Sequence, residues 1–105
     1  MSDKNEDKYF AYSKMLKVLC EPKRLQIIDL LSCRELCACE ILEYFHISQP
    51  TLSNDMKKLE GEDLVKSRRD GKNTFYTLNK EVLKDLNYFI SHISEASDDC
   101  ICNIE

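Results

Sequence analysis

Glycine and proline are scarce in this sequence of 105 residues, with two of each. So few chain breakers exclude low-complexity disorder and an all-β chain built on many tight turns. No apolar run approaches the ~18 residues that a membrane span requires. The N-terminal stretch from Met1 to Lys8 is hydrophilic, so no signal peptide and no membrane segment are expected, and the expected compartment is the cytoplasm. A glycine-rich phosphate loop and a carboxylate–histidine constellation are also missing. The two histidines, His46 and His92, fall on different elements, so an enzyme is not expected and no organic cofactor is implied.

What is present describes one small domain over residues 1–105, large enough for a single core but marginal alone. The hydrophobic fraction of 43% beside 32% charged residues is that of an ordinary globular chain. The net charge of −4 argues against a nucleic-acid partner only until it is divided along the chain. Residues 81–105 carry one lysine against six acids, whereas residues 64–80 hold Lys66, Arg68, Arg69, Lys72 and Lys80 against Asp70 alone. Local charge decides whether a phosphate backbone is attracted, and here it is positive.

Six cysteines in a chain expected to be cytosolic point to thiols or metal ligands rather than a disulfide framework. Cys20 reads as a small buried apolar residue, and Cys33 reads equally as that or as a functional thiol. Cys37 and Cys39 form a Cys-x-Cys pair, as do Cys100 and Cys102. Each pair is a grip for a soft ion, and a disulfide- or persulfide-forming redox sensor is the alternative. Two residues turn a regular helix by about 200°. For both sulfurs of the first pair to hold one ion, Cys37 must therefore be extended before a helix, or the first turn must unwind. A nearby helix N-terminus lowers a thiol pKa and favours the metal-binding thiolate.

Helical periodicity marks a first helix over residues 8–19, on Tyr9, Tyr12, Leu16 and Leu19, and a second opened by Pro22 and ending near Ser32. A short third helix carries Ala38, Ile41, Leu42 and Phe45. A fourth is capped by Ser48, has Pro50 in its first turn, and turns Leu52, Met56 and Leu59 inward. Two short helices so tightly joined predict a helix-turn-helix, with an ordinary helical hairpin as the alternative. Strand-like runs at 64–69 and 73–78 flank Asp70-Gly71-Lys72, the sign of a β-hairpin and hence a wing with a basic tip. A last helix bears an apolar stripe of Val82, Leu83, Leu86, Phe89, Ile90 and Ile93, more than one small core covers, so a homodimer is expected, with a helix packed wholly on its own domain as the alternative. Residues 94–105 read as a polar, flexible tail carrying Cys100 and Cys102. The expected fold is mainly α with a small β-hairpin, a dimeric winged helix-turn-helix of order α-α-α-α-β-β-α.

From Lys14 to Leu78 the chain resembles the ArsR/SmtB family of bacterial metal-responsive winged-helix repressors. Glu35-Leu36-Cys37-Ala38-Cys39-Glu40 is similar to the family's thiolate box, ELCVCD. Ser48-Gln49-Pro50-Thr51-Leu52-Ser53 is similar to the start of its recognition helix, and Arg68-Arg69-Asp70-Gly71-Lys72 to its wing. Three positions depart from the pattern. Asp55 stands where His is usual, and would face phosphates unfavourably while able to accept from cytosine N4. Asp63 stands where Gly precedes Leu-Val, which it can do by adopting a left-handed cap. Cys20 replaces a small residue.

The resemblance implies a repressor of double-stranded operator DNA that dimerises through its first and last helices. It implies DNA contacts from Ser48, Gln49, Thr51, Ser53, Asn54, Lys57, Lys58, Arg68, Arg69 and Lys72, and an inducing ion at Cys37 and Cys39. Two sulfurs do not complete a site. Cys100 and Cys102, from the same or the partner subunit, are the favoured further ligands, with Cys33 the nearer alternative. An all-sulfur set selects soft ions, and the resemblance puts arsenite and antimonite first, then Cd, Pb or Zn. Capture of the ion is expected to distort the start of the third helix. Some relatives carry a second metal site on the last helix. Here that helix offers only Asp85 and His92, so His92 reads as a surface or interface residue.

Overall fold

The computed structural model describes residues 3–95, with side chains from residue 7 onward. Cys100 and Cys102 lie outside the described residues. Five helices and three strands follow in the order α1 (Asp3–Leu19), α2 (Pro22–Leu31), β1 (Leu36–Cys37), α3 (Ala38–Tyr44), α4 (Gln49–Gly61), β2 (Val65–Asp70), β3 (Asn73–Leu78) and α5 (Lys80–Ser94). The order matches expectation except for β1, which the sequence did not predict. α1 also begins five residues before the expected start.

Local chemistry fixes most of the boundaries. Glu21 caps α2 by accepting from the Lys23 N–H at 3.1 Å, and Pro22 at the first position loses no helical hydrogen bond. Ser48 Oγ accepts from the Thr51 N–H at 3.3 Å to start α4, with Pro50 in the first turn. Asn79 Oδ1 does the same for α5 through the Val82 N–H.

The end of α4 is a Schellman motif. The Leu64 N–H donates to the Leu59 carbonyl at 3.0 Å and the Asp63 N–H to that of Glu60 at 2.9 Å. Closing this loop puts Asp63 at φ 59°, the left-handed cap expected from its place in the sequence. Leu59 and Leu64 meet inside the core beneath it.

The sheet is antiparallel with strand order β1-β3-β2. Asp70 pairs with Asn73, so the connecting turn is Gly71-Lys72 and Asp70 is the last strand residue rather than part of the turn. Gly71 has φ 64° and Lys72 a negative φ, the pattern of a type II′ hairpin. On the other edge, Leu36 pairs with Tyr76 and Cys37 with Phe75. The core joins α2, α3, α4 and the sheet through Ile27, Leu31, Leu36, Ile41, Leu52, Met56, Leu59, Leu64, Val65 and Tyr76.

α5 folds back on α1. Tyr12 stacks on Phe89 at 4.4 Å and donates its hydroxyl to Asp85 Oδ2 at 3.1 Å. Burial, reinforced by that carboxylate, pushes the Tyr12 phenol above its usual pKa. The stripe on α5 outruns this packing: Leu86 is buried, whereas Tyr88, Ile90 and Ile93 are exposed, as are Tyr9, Phe10 and Leu16 on α1.

Asp63 holds a conformation that costs a non-glycine residue roughly 1–2 kcal/mol, against which glycine loses about 0.4–1 kcal/mol through unfolded-chain entropy. Asp63→Gly is therefore expected to stabilise the protein by up to about 1 kcal/mol. Urea denaturation at fixed protein concentration checks this, and a loss of stability would contradict the cap assignment.

Candidate cysteine site and nucleic-acid interface

Cys37 is at once the last residue of β1 and the N-cap of α3, with φ −83° and ψ 160°. Pairing with Phe75 holds it extended, while Cys39 lies in the first turn of the helix. The Cα atoms are 5.3 Å apart and the two sulfurs are in direct disulfide contact. The condition for a shared grip is thus met by an extended Cys37, with no unwinding of α3. Cys37 is buried and Cys39 is exposed, so the pair opens to solvent on one side.

Carboxylates flank the pair. Glu40 accepts from the Cys37 N–H at 2.9 Å and meets Arg34 at 3.3 Å; the backbone N–H and then the guanidinium hold its carboxyl below the usual range. On the other side, Glu35 accepts from Arg68 Nε at 2.9 Å, Arg68 Nη2 at 2.8 Å and Thr77 Oγ1 at 3.2 Å. The Arg68 hydrogen bonds lower the Glu35 pKa, and the same contact raises that of Arg68.

The other cysteines stand apart. Cys20 is exposed, contrary to the reading of a small buried residue, because it sits in the junction between α1 and α2, outside both packed faces. Cys33 is exposed in the turn after α2. Among the described residues, no group of three or more His, Cys, Asp or Glu side chains gathers as a metal site. His92 is exposed, and Asp85 is engaged by Tyr12.

The outer face of α4 presents Gln49, Thr51, Ser53, Asn54, Lys57 and Lys58 to solvent, with Ser48 at its start. Leu52, Asp55, Met56 and Leu59 turn inward. Ser48 also receives local use, donating from Oγ to Thr51 Oγ1 at 2.8 Å. On the wing, Arg69 and Lys72 are exposed, whereas Arg68 is engaged by Glu35 and lies 4.6 Å over the Phe75 ring.

Asp55 does not face outward as its sequence position suggested. Its carboxylate is buried and pairs with Arg24 Nη1 at 3.0 Å, with the two side chains only 13% and 10% exposed. Arg24 Nε also donates to the Val18 carbonyl. One guanidinium therefore ties the end of α1, α2 and α4 together. The pair escapes a sequence reading because 31 residues separate its members.

Residues 21–67, from the cap of α2 through the first half of the hairpin, match the family model described as bacterial regulatory protein, arsR family. The chain is 46% identical over 94 residues to the arsenical resistance operon repressor of Staphylococcus aureus, covering 90% of each chain. It is 48% identical, with the same coverage, to that of Staphylococcus xylosus. The chain belongs to the arsR family. The homodimeric winged helix-turn-helix DNA-binding domain of a Mycobacterium bovis protein superposes with a TM-score of 0.74 at 25% identity, covering 90% of this chain and 88% of that one. This arsR-family chain is accordingly a winged helix-turn-helix transcriptional regulator of the repressor type and not an enzyme. No helix among its described residues is long and apolar enough to cross a membrane.

Within the arsR-family fold, the Arg24–Asp55 pair holds the outward helix at a fixed angle to α2. Removing one member of a buried pair strands the other charge, typically at about 3–5 kcal/mol. Asp55→Ala and Arg24→Ala are each expected to destabilise by roughly that amount, and the double variant by less than their sum. Additive losses in urea denaturation would show that the two side chains act independently.

Proposed function

We propose that this protein is a dimeric repressor that binds a palindromic operator and releases it when Cys37 and Cys39 hold trivalent arsenic or antimony. The observation that carries the reading is the placement of Cys37, held extended at the end of β1, beside Cys39 in the first turn of α3, with Cα atoms 5.3 Å apart. A soft two-sulfur grip lies one helix away from the outward face of α4. Cadmium, lead or zinc suits the same donors and is the alternative inducer. Cys100 or Cys102, of either subunit, is proposed to complete the set, with Cys33 the nearer alternative.

Two copies of α4 would enter successive major grooves about 34 Å apart. Gln49, Thr51, Ser53 and Asn54 are proposed to reach bases or nearby phosphates, with Ser48 at the helix start. Lys57, Lys58, Arg69 and Lys72 supply backbone charge, which positions without specifying sequence. Arg68 adds to it only when its carboxylate partner lets go. The exposed apolar residues Tyr9, Phe10 and Leu16 of α1 with Tyr88, Ile90 and Ile93 of α5 are proposed as the dimer interface. α3 shares the core with α4 through Ile41, Leu52 and Met56, so a displacement of α3 against the sheet is felt by α4. A coupling of ~1–3 kcal/mol loosens DNA by roughly 5–150-fold.

The same sulfur contact favours a second reading, a thiol-redox repressor in which Cys37 and Cys39 form a disulfide. A peroxide would take two electrons and two thiol protons from the pair, leaving a disulfide and water, so oxidised protein should lose arsenite binding and regain it on reduction.

Arsenite titration of a duplex selected by the protein from a random library is expected to release DNA from the reduced wild type. Cys37→Ser and Cys39→Ser should remain bound at the same concentration; release from either refutes the proposed site. For the interface, Ile93→Glu is expected to shift the protein toward monomer in sedimentation and to weaken duplex binding at least tenfold, about 1.4 kcal/mol. An unchanged dimer would move the interface elsewhere.

A further inference from the structure

We propose that Glu35 is a positioning residue of the wing, whose carboxylate withholds Arg68 from the phosphate backbone. The inference rests on the reading that the wing meets DNA. Arg68 differs from its basic neighbours: among the described residues, Lys66, Arg69 and Lys72 form no ion pair, whereas Arg68 is engaged by Glu35 and approached by Asp70. Two of its nitrogens donate to the two oxygens of Glu35 at 2.9 and 2.8 Å, Asp70 lies at 3.8 Å, and the guanidinium covers Phe75 at 4.6 Å. Thr77 Oγ1 donates to Glu35 from the central strand and fixes the carboxylate in turn.

A planar guanidinium forked onto a carboxylate has its phosphate-recognising edge already occupied. A DNA phosphate must displace Glu35 to take this Nε–Nη2 edge, and Nη1 faces Asp70 at 3.8 Å. The place of this fork matters. Phe75 of the central strand pairs with Cys37 on one side and with Arg68 on the other, and Glu35 precedes Cys37 by two residues. The clamp therefore joins the wing to the residue that leads into β1 and Cys37.

The test uses reduced, ion-free protein and a mixed-sequence DNA duplex, with affinity measured by fluorescence anisotropy over a salt series. Each added phosphate contact steepens the log–log salt dependence by about 0.9. Glu35→Gln, nearly the same shape, is expected to tighten binding and steepen the slope by about 0.9 per wing. Arg68→Gln in the Glu35→Gln background should return the slope to the wild-type value. A wild-type slope in Glu35→Gln overturns the proposal, as does a slope that stays steep when Arg68→Gln is added to it. Wild-type protein without salt-dependent duplex binding would remove the DNA-binding reading and this proposal together. The wild type binding normally while Glu35→Gln matches it removes the proposal alone.

Discussion

Two residues of strand hold the functional half of this molecule together. Leu36 and Cys37 pair with Tyr76 and Phe75, and that short antiparallel edge fixes Cys37 in extended conformation where α3 begins. Without it Cys37 would continue the helix, and the two sulfurs would face about 200° apart. The same edge brings Glu35 beside the wing and sets the direction from which α3 enters the core. The cysteine pair, the Glu35–Arg68 fork and the angle of α3 are consequences of one pairing.

Two of the arginine–carboxylate pairs, Arg24–Asp55 and Arg68–Glu35, differ in what they can do. Arg24 and Asp55 are nearly enclosed, so neither charge can leave without stranding the other. That pair is a permanent tie between α2 and α4. Arg68 and Glu35 are 53% and 33% exposed, a setting in which an ion pair contributes about 0–1 kcal/mol. A DNA phosphate is a strong competitor at that level. The buried pair therefore fixes where the outward helix points, and the exposed pair is exchangeable.

The helices and the wing were readable from the sequence because their signals are local. Ser48, Pro50 and Asn79 act within one turn, and Asp63 takes up the left-handed cap its position implied. β1 was not readable, since two residues carry no periodicity and its hydrogen bonds come from a strand nearly forty positions later. Asp55 was misjudged for the same reason, its partner lying on another helix. Cys20 was misjudged because composition alone cannot separate a junction from a packed face. Of the cysteine site, the pair itself and the requirement for an extended Cys37 were legible. That the requirement is already met was not.

That last point alters where a signal can arise. A ligand shifts an equilibrium only by the difference in its affinity for the two states. Because β1 already holds Cys37 extended beside an intact α3, holding an ion by these two sulfurs alone would, on the proposed reading, leave both elements in place and distinguish poorly between bound and free repressor. On the proposed reading, the discriminating free energy must therefore come from what completes the set. A third sulfur brought in from outside the β1–α3 junction would pull on Cys39, the exposed member, against a Cys37 locked into the sheet. Since Cys39 moves with α3 and α3 shares its core with α4, the pull is transmitted where Cys37 cannot yield.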